Sequence, residues 1–224
     1  MITKVQPSKY IYPPRPKNCI PKDQADLFVG LGYRPQLKYN DSRTIIKIHP
    51  DQTIELWNRH AERFRAYTVP SWLIDQISET AKQIGLQHGK YHMLDGGLLD
   101  QKHKAIKDTI VIWDILVKDD QHLLGTTYLH RYQQLQARTK PWYFKEHQLG
   151  YAYTDNVFLA EYYQPDQSQQ LWDLVETVNQ PYPTPLLEGI VYKDPNGTLE
   201  MGYKSDNNTS WMVKSRVKTG RHRF

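Results

Sequence analysis

The sequence lacks the features that disulfide-stabilised, cysteine-rich zinc-binding and membrane-spanning proteins require. A single cysteine among 224 residues excludes an internal disulfide and a zinc module built on several cysteines. No apolar run reaches membrane-spanning length, and no signal-peptide pattern is present. We therefore expect a soluble protein of a reducing compartment, namely the cytoplasm, or the host cytoplasm if the protein is viral. We further expect a monomer that does not associate with a membrane.

The composition favours a folded core and a polyanionic partner. Hydrophobic residues make up 39% and aromatic residues 12% of the chain, enough for one domain or a large domain with a small appendage. The net charge of +5 is modestly basic. This charge favours a nucleic-acid partner without proving one, since many basic proteins bind no nucleic acid.

Proline and hydrophobic periodicity divide the chain. Six prolines between positions 7 and 35 predict an extended arm over residues 1–35, with one short helical turn and no assigned function. The main domain is expected over residues 36–218, followed by a basic tail at 219–224. Alternating or continuous apolar runs predict strands at 33–37, 44–48, 53–60, 91–99, 108–117, 150–159, 187–193 and 210–218. Apolar stripes at helical spacing predict helices at 71–84 and 166–179.

One lysine lies between a short predicted strand and a turn. Lys38 follows strand 33–37, an Asn-Asp-Ser turn comes next, and Arg43 opens the following strand. This arrangement would hold an amine in a fixed position. An amine that attacks phosphorus must be neutral, which requires burial or neighbouring cations. For this segment considered alone, a solvated lysine in a surface hairpin is the alternative.

The segment from Lys38 to Arg43 resembles motif I, Lys-x-Asp-Gly-x-Arg, of the covalent nucleotidyltransferases. This family contains ATP-dependent DNA ligases, RNA ligases and mRNA capping enzymes. Two positions differ, because Asn40 stands where aspartate is usual and Asp41 stands where glycine is usual. The resemblance implies that Lys38 is the catalytic nucleophile and carries AMP.

Further segments resemble the family's signatures for the nucleoside. Strand 53–60 ends in Arg59, and the resemblance implies that Arg59 contacts the ribose. It implies that Arg43 contacts the ribose or the nucleic-acid strand. It also places Gln36 where relatives have a group that recognises the adenine base. Trp113 lies in a strand where ligases show Phe-Asp and is expected to stack on the adenine. In ligases a helix containing Tyr-x-x-Arg follows that strand, and the resemblance implies such a helix at 128–135, with Tyr128 and Arg131 at these two positions. The alternatives are a strand-end salt bridge for Arg59 and a core position for Trp113.

Two segments resemble the family's metal-binding signatures. The Leu-Asp-Gly-Gly-Leu segment around Asp95 resembles Leu-Asp-Gly-Glu-Leu, with Gly97 in place of the carboxylate that the family uses near the ribose and metal. Either Asp95 takes part of that role, which makes it a candidate metal ligand, or water fills it. The segment that ends at Lys193 closely resembles motif IV, Glu-Gly-x-x-x-Lys. It implies that Glu188 holds a divalent metal and that Lys193 contacts the nucleotide.

The last predicted strand resembles motif V, Trp-x-x-Lys-x-Lys. Its alternation puts Lys214, Arg216 and Lys218 on one face. The resemblance implies that Lys214 and Arg216 hold the α-phosphate, where fixed cations neutralise the charge that develops as pyrophosphate leaves. A solvated basic tail is the alternative, and we prefer it for Arg221 and Arg223.

The signatures occur in one fixed order between Lys38 and Lys218. The resemblance implies an α+β, ATP-grasp-like nucleotidyltransferase fold, in which two antiparallel β-sheets flanked by helices hold a nucleotide groove between them. Residues 36–218 would be the adenylyltransferase domain. The implied function is an ATP-dependent ligase that joins 3′-hydroxyl and 5′-phosphate ends through a lysyl-AMP intermediate. It would use ATP with Mg²⁺ or Mn²⁺ and act on nicked or broken DNA or RNA.

The choice of substrate and two other functions stay open. The motif IV segment and the Trp-Asp strand favour DNA, whereas Asn40 and the expected lack of a C-terminal OB domain favour RNA. A capping-type guanylyltransferase shares the lysine chemistry but reads guanine. A catalytically inactive nucleic-acid-binding module is a further alternative, motivated by the departures at Asp41 and Gly97.

Overall fold

The computed structural model describes residues 8–100, 102–137 and 139–217. Within them the chain forms twelve strands, four α-helices and two short 3-10 helices. The strands are β1 Arg15–Ile20, β2 Arg34–Tyr39, β3 Ser42–Ile48, β4 Ile54–Asn58, β5 His92–Leu99, β6 Thr109–Lys118, β7 Gln121–His122, β8 Lys140–Phe144, β9 His147–Ala152, β10 Val157–Ala160, β11 Leu187–Lys193 and β12 Asn208–Arg216. The helices are α1 Ala25–Gly30, α2 Ser71–Ile84, α3 Tyr128–Leu135 and α4 Ser168–Asn179, and the 3-10 helices are Lys22–Gln24 and Pro165–Gln167.

The strands form a small and a large sheet. The small sheet has the order β1-β12-β11-β2, and the large sheet has the order β4-β3-β5-β6-β10-β9-β8, with β7 paired to β6. β1 runs parallel to β12 and β10 parallel to β6. Both sheets are therefore mixed, and the prediction of two purely antiparallel sheets is wrong. Each parallel pair joins strands far apart in sequence, because a parallel neighbour cannot be reached through a tight hairpin.

Three groups of apolar side chains bury the sheet faces. The main core joins the small sheet, α4 and one face of the large sheet. α4 contributes one stripe at helical spacing, formed by Leu171, Trp172, Val175 and Val178. A second core lies where α2 and α3 cover the large sheet, and a third surrounds β3, β5 and β6. Among the helices of the described ranges, none is long and apolar enough to cross a membrane.

α2 has the bounds predicted from periodicity, and α3 lies where the resemblance places a helix. The single strand predicted over 150–159 is wrong, since β9 and β10 are separate and pair antiparallel, with Phe158 opposite Ala152. The sequence pattern does not predict β1 and β8 as strands. Both contain proline and are largely solvent-exposed, so neither shows apolar alternation. Lys218, the tail at 219–224 and residues 1–7 of the predicted arm lie outside the described residues.

Candidate active site

A cavity of about 460 Å³ opens between the two sheets. β2, β11 and β12 of the small sheet line it together with residues of β3, β4 and β6 and with residues 13–16. Of the ten predicted site residues, nine line this cavity: Gln36, Lys38, Arg43, Arg59, Trp113, Glu188, Lys193, Lys214 and Arg216. The lining contains eight lysines and arginines but only two carboxylates, Asp41 and Glu188. Its charge therefore suits a polyanion such as a nucleoside triphosphate.

Lys38 reaches the cavity because β2 alternates. Leu37 and Tyr39 are 3% and 1% exposed and pack into the main core, so Gln36 and Lys38 face the opposite side of the strand. The Lys38 ammonium donates a hydrogen bond to the Glu188 carboxylate on the neighbouring strand β11. The amine is thus held at the cavity wall by one carboxylate.

A bulge in β11 aims Glu188 at the cavity. The register between β11 and β2 shifts between Leu187 and Gly189, which leaves Glu188 as the extra residue. Gly189 has a φ of 138°, and a Cβ there would lie 2.1 Å from the backbone oxygen of Ser215. Only glycine fits after Glu188 in this geometry, which is the physical reason for the Glu-Gly pair.

The charge state of Glu188 is set by its cationic neighbours. Burial opposes its ionisation, but Lys38 and then Arg216 outweigh burial and hold the pKa of this carboxyl below its ordinary value. Arg216 Nη2 lies 3.5 Å from Glu188 Oε2. At neutral pH Glu188 is therefore a carboxylate, which can accept a hydrogen bond or bind a cation.

Two cations of β12 lie side by side along the cavity. Burial and the nearby Arg216 lower the pKa of Lys214, and its amine lies 3.4 Å from the Pro16 carbonyl oxygen, to which it donates. Arg216 Nε is buried, and among the described residues it has no hydrogen-bond partner. A buried guanidinium N–H without a partner is costly, and an anion in the cavity would satisfy it.

Arg43 is fixed by three hydrogen bonds to two partners, the Asp95 carboxylate and the Pro14 carbonyl. Its Nε donates to Asp95 Oδ1 at 2.9 Å, its Nη2 contacts Asp95 Oδ2, and Nη2 also donates to the Pro14 carbonyl at 2.8 Å. Trp113 Nε1 donates to Asp95 Oδ2 at 3.0 Å. Asp95 is 1% exposed and does not line the cavity. Its position suits orientation of Arg43 and Trp113, and its predicted metal contact stays a prediction.

A buried polar group surrounds Lys193. Its amine donates to Gln36 Oε1 at 2.6 Å and to Tyr128 Oη at 2.9 Å, and Gln36 Nε2 donates to the Ala160 carbonyl at 3.1 Å. Burial is the main effect on this amine and lowers the pKa of Lys193 to about 7. Sequence reasoning did not identify Tyr128 as a partner, although the Tyr-x-x-Arg spacing that contains it was visible.

Arg131, the other member of that spacing, fixes α3 to β6. It is fully buried and forms a two-pronged ion pair with Asp114, with distances of 2.8 Å and 3.0 Å. Its Nη1 also donates to the Thr126 carbonyl at 2.5 Å. This contact holds Tyr128, one turn earlier on the helix, against Lys193.

Arg59 lies at the exposed rim of the cavity. Its Nε lies 3.1 Å from Nε2 of His60, and both side chains are exposed. β4 holds this rim beside β3 through pairs such as Thr44 with Asn58. An exposed cation at a cavity rim is suited to a mobile polyanionic ligand.

Asp41 and Lys102 are among the lining residues that were not predicted. Burial raises the pKa of Asp41 to about 6, against the opposing effect of Lys38 and Lys102. Lys102 also donates from its amine to the Asp41 carbonyl. The departure from the glycine of motif I was visible at position 41, but its placement beside these cations needs the tertiary fold.

The N-terminal segment also contributes to the site, where sequence reasoning assigned no function. Pro13, Pro14, Arg15 and Pro16 line the cavity, and the carbonyls of Pro14 and Pro16 accept hydrogen bonds from site cations. A proline-rich segment has many carbonyls and few N–H groups, so it presents acceptors to cationic side chains.

The two carboxylates of the lining fit a magnesium or manganese ion of the nucleotide type. Within the residues that the structure describes, no group of three or more His, Cys, Asp and Glu side chains could hold a metal by itself. Mg²⁺ in nucleotide sites uses one or two carboxylates and takes its other ligands from phosphates and water. The donor set therefore suits a cation that arrives with a polyphosphate.

No protein-family model and no curated protein matches the sequence. Solved structures match the fold: the ligase domain of LigD from M. tuberculosis has a TM-score of 0.59 and 14% identity, over 92% of this chain and 59% of that chain. The ATP-dependent DNA ligase of bacteriophage T7 in complex with ATP has a TM-score of 0.53 and 15% identity, over 92% and 68%. A structure named Pmar-Lig_PreS3 has a TM-score of 0.60 and 16% identity, over 93% and 47%.

The chain thus spans about half to two thirds of the length of these ligases. Identities of 14% to 16% establish a common fold. The chain therefore has the α+β fold of the nucleotidyltransferase domain of ATP-dependent DNA ligases, as the resemblance implied except for the purely antiparallel sheets.

Proposed function

We propose that the protein is an ATP-dependent polynucleotide ligase that seals a 3′-hydroxyl to a 5′-phosphate through an AMP adduct on Lys38. One observation carries the proposal: the Lys38 amine lies at the wall of a strongly cationic cavity and contacts Glu188 on the adjacent strand. An amine, a carboxylate and clustered cations are the groups that phosphoramidate formation on a nucleoside triphosphate requires.

In the first step the neutral Lys38 amine attacks the α-phosphorus of ATP. A nitrogen–phosphorus bond forms, the bond from the α-phosphorus to the bridging oxygen breaks, and pyrophosphate leaves with the electron pair. Glu188 is the carboxylate in contact with the amine and is the acceptor for the proton that the ammonium loses. Lys214 and Arg216 neutralise the charge on the phosphate as pyrophosphate departs.

The remaining lining residues hold the nucleoside. Trp113 stacks on the adenine, and Gln36 and Lys193 recognise it by hydrogen bonds. Arg43, fixed by Asp95, contacts the ribose, and Arg59 at the rim contacts the ribose or the nucleic-acid strand. The hydrogen-bonded network around Lys193 supports this assignment, since a pre-ordered site loses little conformational entropy on binding.

In the second step the 5′-phosphate at a nick attacks the lysyl-AMP, so the nitrogen–phosphorus bond breaks and Lys38 is regenerated. In the third step the 3′-hydroxyl attacks that activated phosphate and AMP leaves. A nicked or broken DNA or RNA strand is the partner, and the cationic rim of the cavity supports contact with its phosphates. Sealing of nicked DNA and nicked RNA duplexes, measured side by side, distinguishes the two substrates.

A divalent cation, Mg²⁺ or Mn²⁺, would supply charge neutralisation at the phosphates. Glu188 would hold it, so Glu188→Ala should lose adduct formation at all concentrations of either cation. Asp95→Ala should have a milder effect on the cation requirement, because its oxygens contact Arg43 and Trp113. The opposite order of effects would make Asp95 the main ligand.

Labelled nucleotides test the proposal and its two alternatives. Wild-type protein incubated with α-labelled ATP or GTP and magnesium, then run on a denaturing gel, should carry label from ATP. Lys82→Ala, on the exposed surface of α2, is the matched control for loss of a lysine and should label normally. Label from GTP alone would indicate a capping-type guanylyltransferase. No label from either nucleotide, with salt-dependent binding of a nicked duplex, would indicate an inactive binding module.

A further inference from the structure

The side chain of Asp41 occupies the space that any side chain at position 97 would need. A Cβ on Gly97 would lie 2.5 Å from Asp41 Cγ, 2.6 Å from its Cβ and 2.7 Å from its Oδ1. These are the three nearest atoms, and real Cβ atoms do not approach so closely. The φ of Gly97 lies outside the left-handed region. The glycine is therefore required by Asp41 and not by its own backbone.

The adjacent glycine provides the contrast. A Cβ on Gly96 would lie 2.3 Å from the backbone oxygen of Val111, on the paired strand β6. Backbone atoms of a central strand cannot move aside as a side chain can. The backbone of the paired strand thus requires glycine at position 96, whereas the side chain of Asp41 requires glycine at position 97.

Asp41 points into the proposed nucleotide site. It lines the same cavity as Lys38 and Glu188, and its carboxyl interacts electrostatically with Lys38, Lys102 and Glu188. The turn between β2 and β3 holds it three residues after Lys38, whose amine contacts Glu188. The cavity lining contains no carboxylate besides these two within the described chain.

We propose that Asp41 supplies the second carboxylate of this site and, together with Glu188, binds the divalent cation that accompanies the nucleotide phosphates. The inference rests on the proposed function. It also joins the two departures from the family pattern, since the glycine of motif I and the carboxylate expected at position 97 have exchanged places in this chain. The carboxylate of Asp41 lies on the turn after β2 instead of on β5, and it occupies the volume that a side chain at position 97 would need.

A reciprocal exchange tests the shared space without any nucleotide. Gly97→Glu should lower the melting temperature because its side chain collides with Asp41, and Asp41→Gly/Gly97→Glu should recover most of the loss. Gly96→Ala should also lower the melting temperature, and adding Asp41→Gly should not recover it. If Asp41→Gly restored the melting temperature of both glycine variants equally, or of neither, the argument that Asp41 and residue 97 share one volume would be overturned.

Direct binding of Mn²⁺ tests the ligand role. Electron paramagnetic resonance should show Mn²⁺ bound to wild-type protein with α,β-methylene-ATP, and Asp41→Asn, which keeps the volume, should weaken binding at least about tenfold. Asp75→Asn, on the exposed face of α2, removes the same charge elsewhere and should bind like wild type. Asp41→Gly/Gly97→Glu should bind more tightly than Asp41→Gly alone.

Failure of this inference differs from failure of the proposed function. Unchanged Mn²⁺ binding by Asp41→Asn, in a wild-type protein that forms the lysyl-AMP adduct, would overturn only the role of Asp41. Weakened Mn²⁺ binding by Asp41→Asn, in a wild-type protein that forms no adduct, would support the cation site and remove the ligase proposal.

Discussion

Lys193→Met should change how the stability of the protein depends on pH. The substitution keeps the length and apolar stem of the side chain but removes the amine. Lys193 is 5% exposed, and burial lowers its pKa to about 7. An unfolded lysine titrates near about 10.4. Between these values the unfolded chain holds a proton that the folded protein has released, so the free energy of unfolding of the wild type rises with pH.

The magnitude follows from this interval. A difference of one bound proton changes the free energy of unfolding by about 1.4 kcal/mol per pH unit. Because Lys193 is half protonated at a pH equal to its folded pKa, integration from pH 7 to pH 9 gives a gain of about 2 kcal/mol for the wild type over Lys193→Met. Other groups titrate alike in both proteins and cancel in the difference.

Urea unfolding at pH 7, 8 and 9 measures this difference. Lys82→Met, with its side chain 73% exposed on α2, is the matched control and should run parallel to the wild type. A wild type and a Lys193→Met variant whose unfolding free energies change in parallel from pH 7 to pH 9 would refute the reasoning. That result would mean that Lys193 stays protonated inside the protein.

Three other substitutions have expected outcomes. Arg131→Met leaves Asp114 buried without its ion-pair partner and should cost about 3–5 kcal/mol in urea unfolding, with recovery when Asp114→Leu is added; no recovery would contradict the ion-pair argument. Gly189→Ala should lower the free energy of unfolding by at least about 2 kcal/mol. Gly30→Ala, where no atom lies within 4 Å of the added Cβ, should not lower it, and equal melting temperatures of the two variants would contradict this expectation. Trp113→Leu should weaken binding of a non-hydrolysable ATP analogue about two- to tenfold, and an unchanged Kd in calorimetry would exclude stacking.

Much of the site follows from strand periodicity and residue type. Alternation in β2 predicts that Lys38 faces away from Leu37 and Tyr39, and alternation in β12 predicts that Lys214 and Arg216 share a face. The structure agrees at both strands. Order along the chain then indicates that these strands belong to one site, and the cavity between the sheets brings them together.

What the sequence does not give are contacts between distant segments. The hydrogen bond between Lys193 and Tyr128 joins residues 65 positions apart, and the space shared by Asp41 and Gly97 joins the turn after β2 to strand β5. The parallel pairing of β1 with β12 likewise spans nearly the whole described chain. Local periodicity carries no information on such pairings, because each depends on how complete elements pack.

The two strands β9 and β10 show a different limit. Their combined run reads as one strand, since both are apolar and the bend at residues 153–156 contains no glycine or proline. Turns formed by Thr, Asp and Asn are weaker signals than Gly or Pro turns. The reversal is therefore visible only through the pairing of Phe158 with Ala152.

The most direct test of the central claim is the mass and site of the nucleotide adduct. Intact-protein mass spectrometry after incubation with ATP and magnesium should show one added AMP moiety, and peptide mapping should locate it on Lys38. Lys38→Ala and Lys38→Arg should both fail to form it, and Lys38→Ala should still seal a trace of a pre-adenylated nick, because the last step does not use the amine. An adduct that persists in Lys38→Ala, or maps to another residue, would contradict the assignment of the nucleophile and of the site.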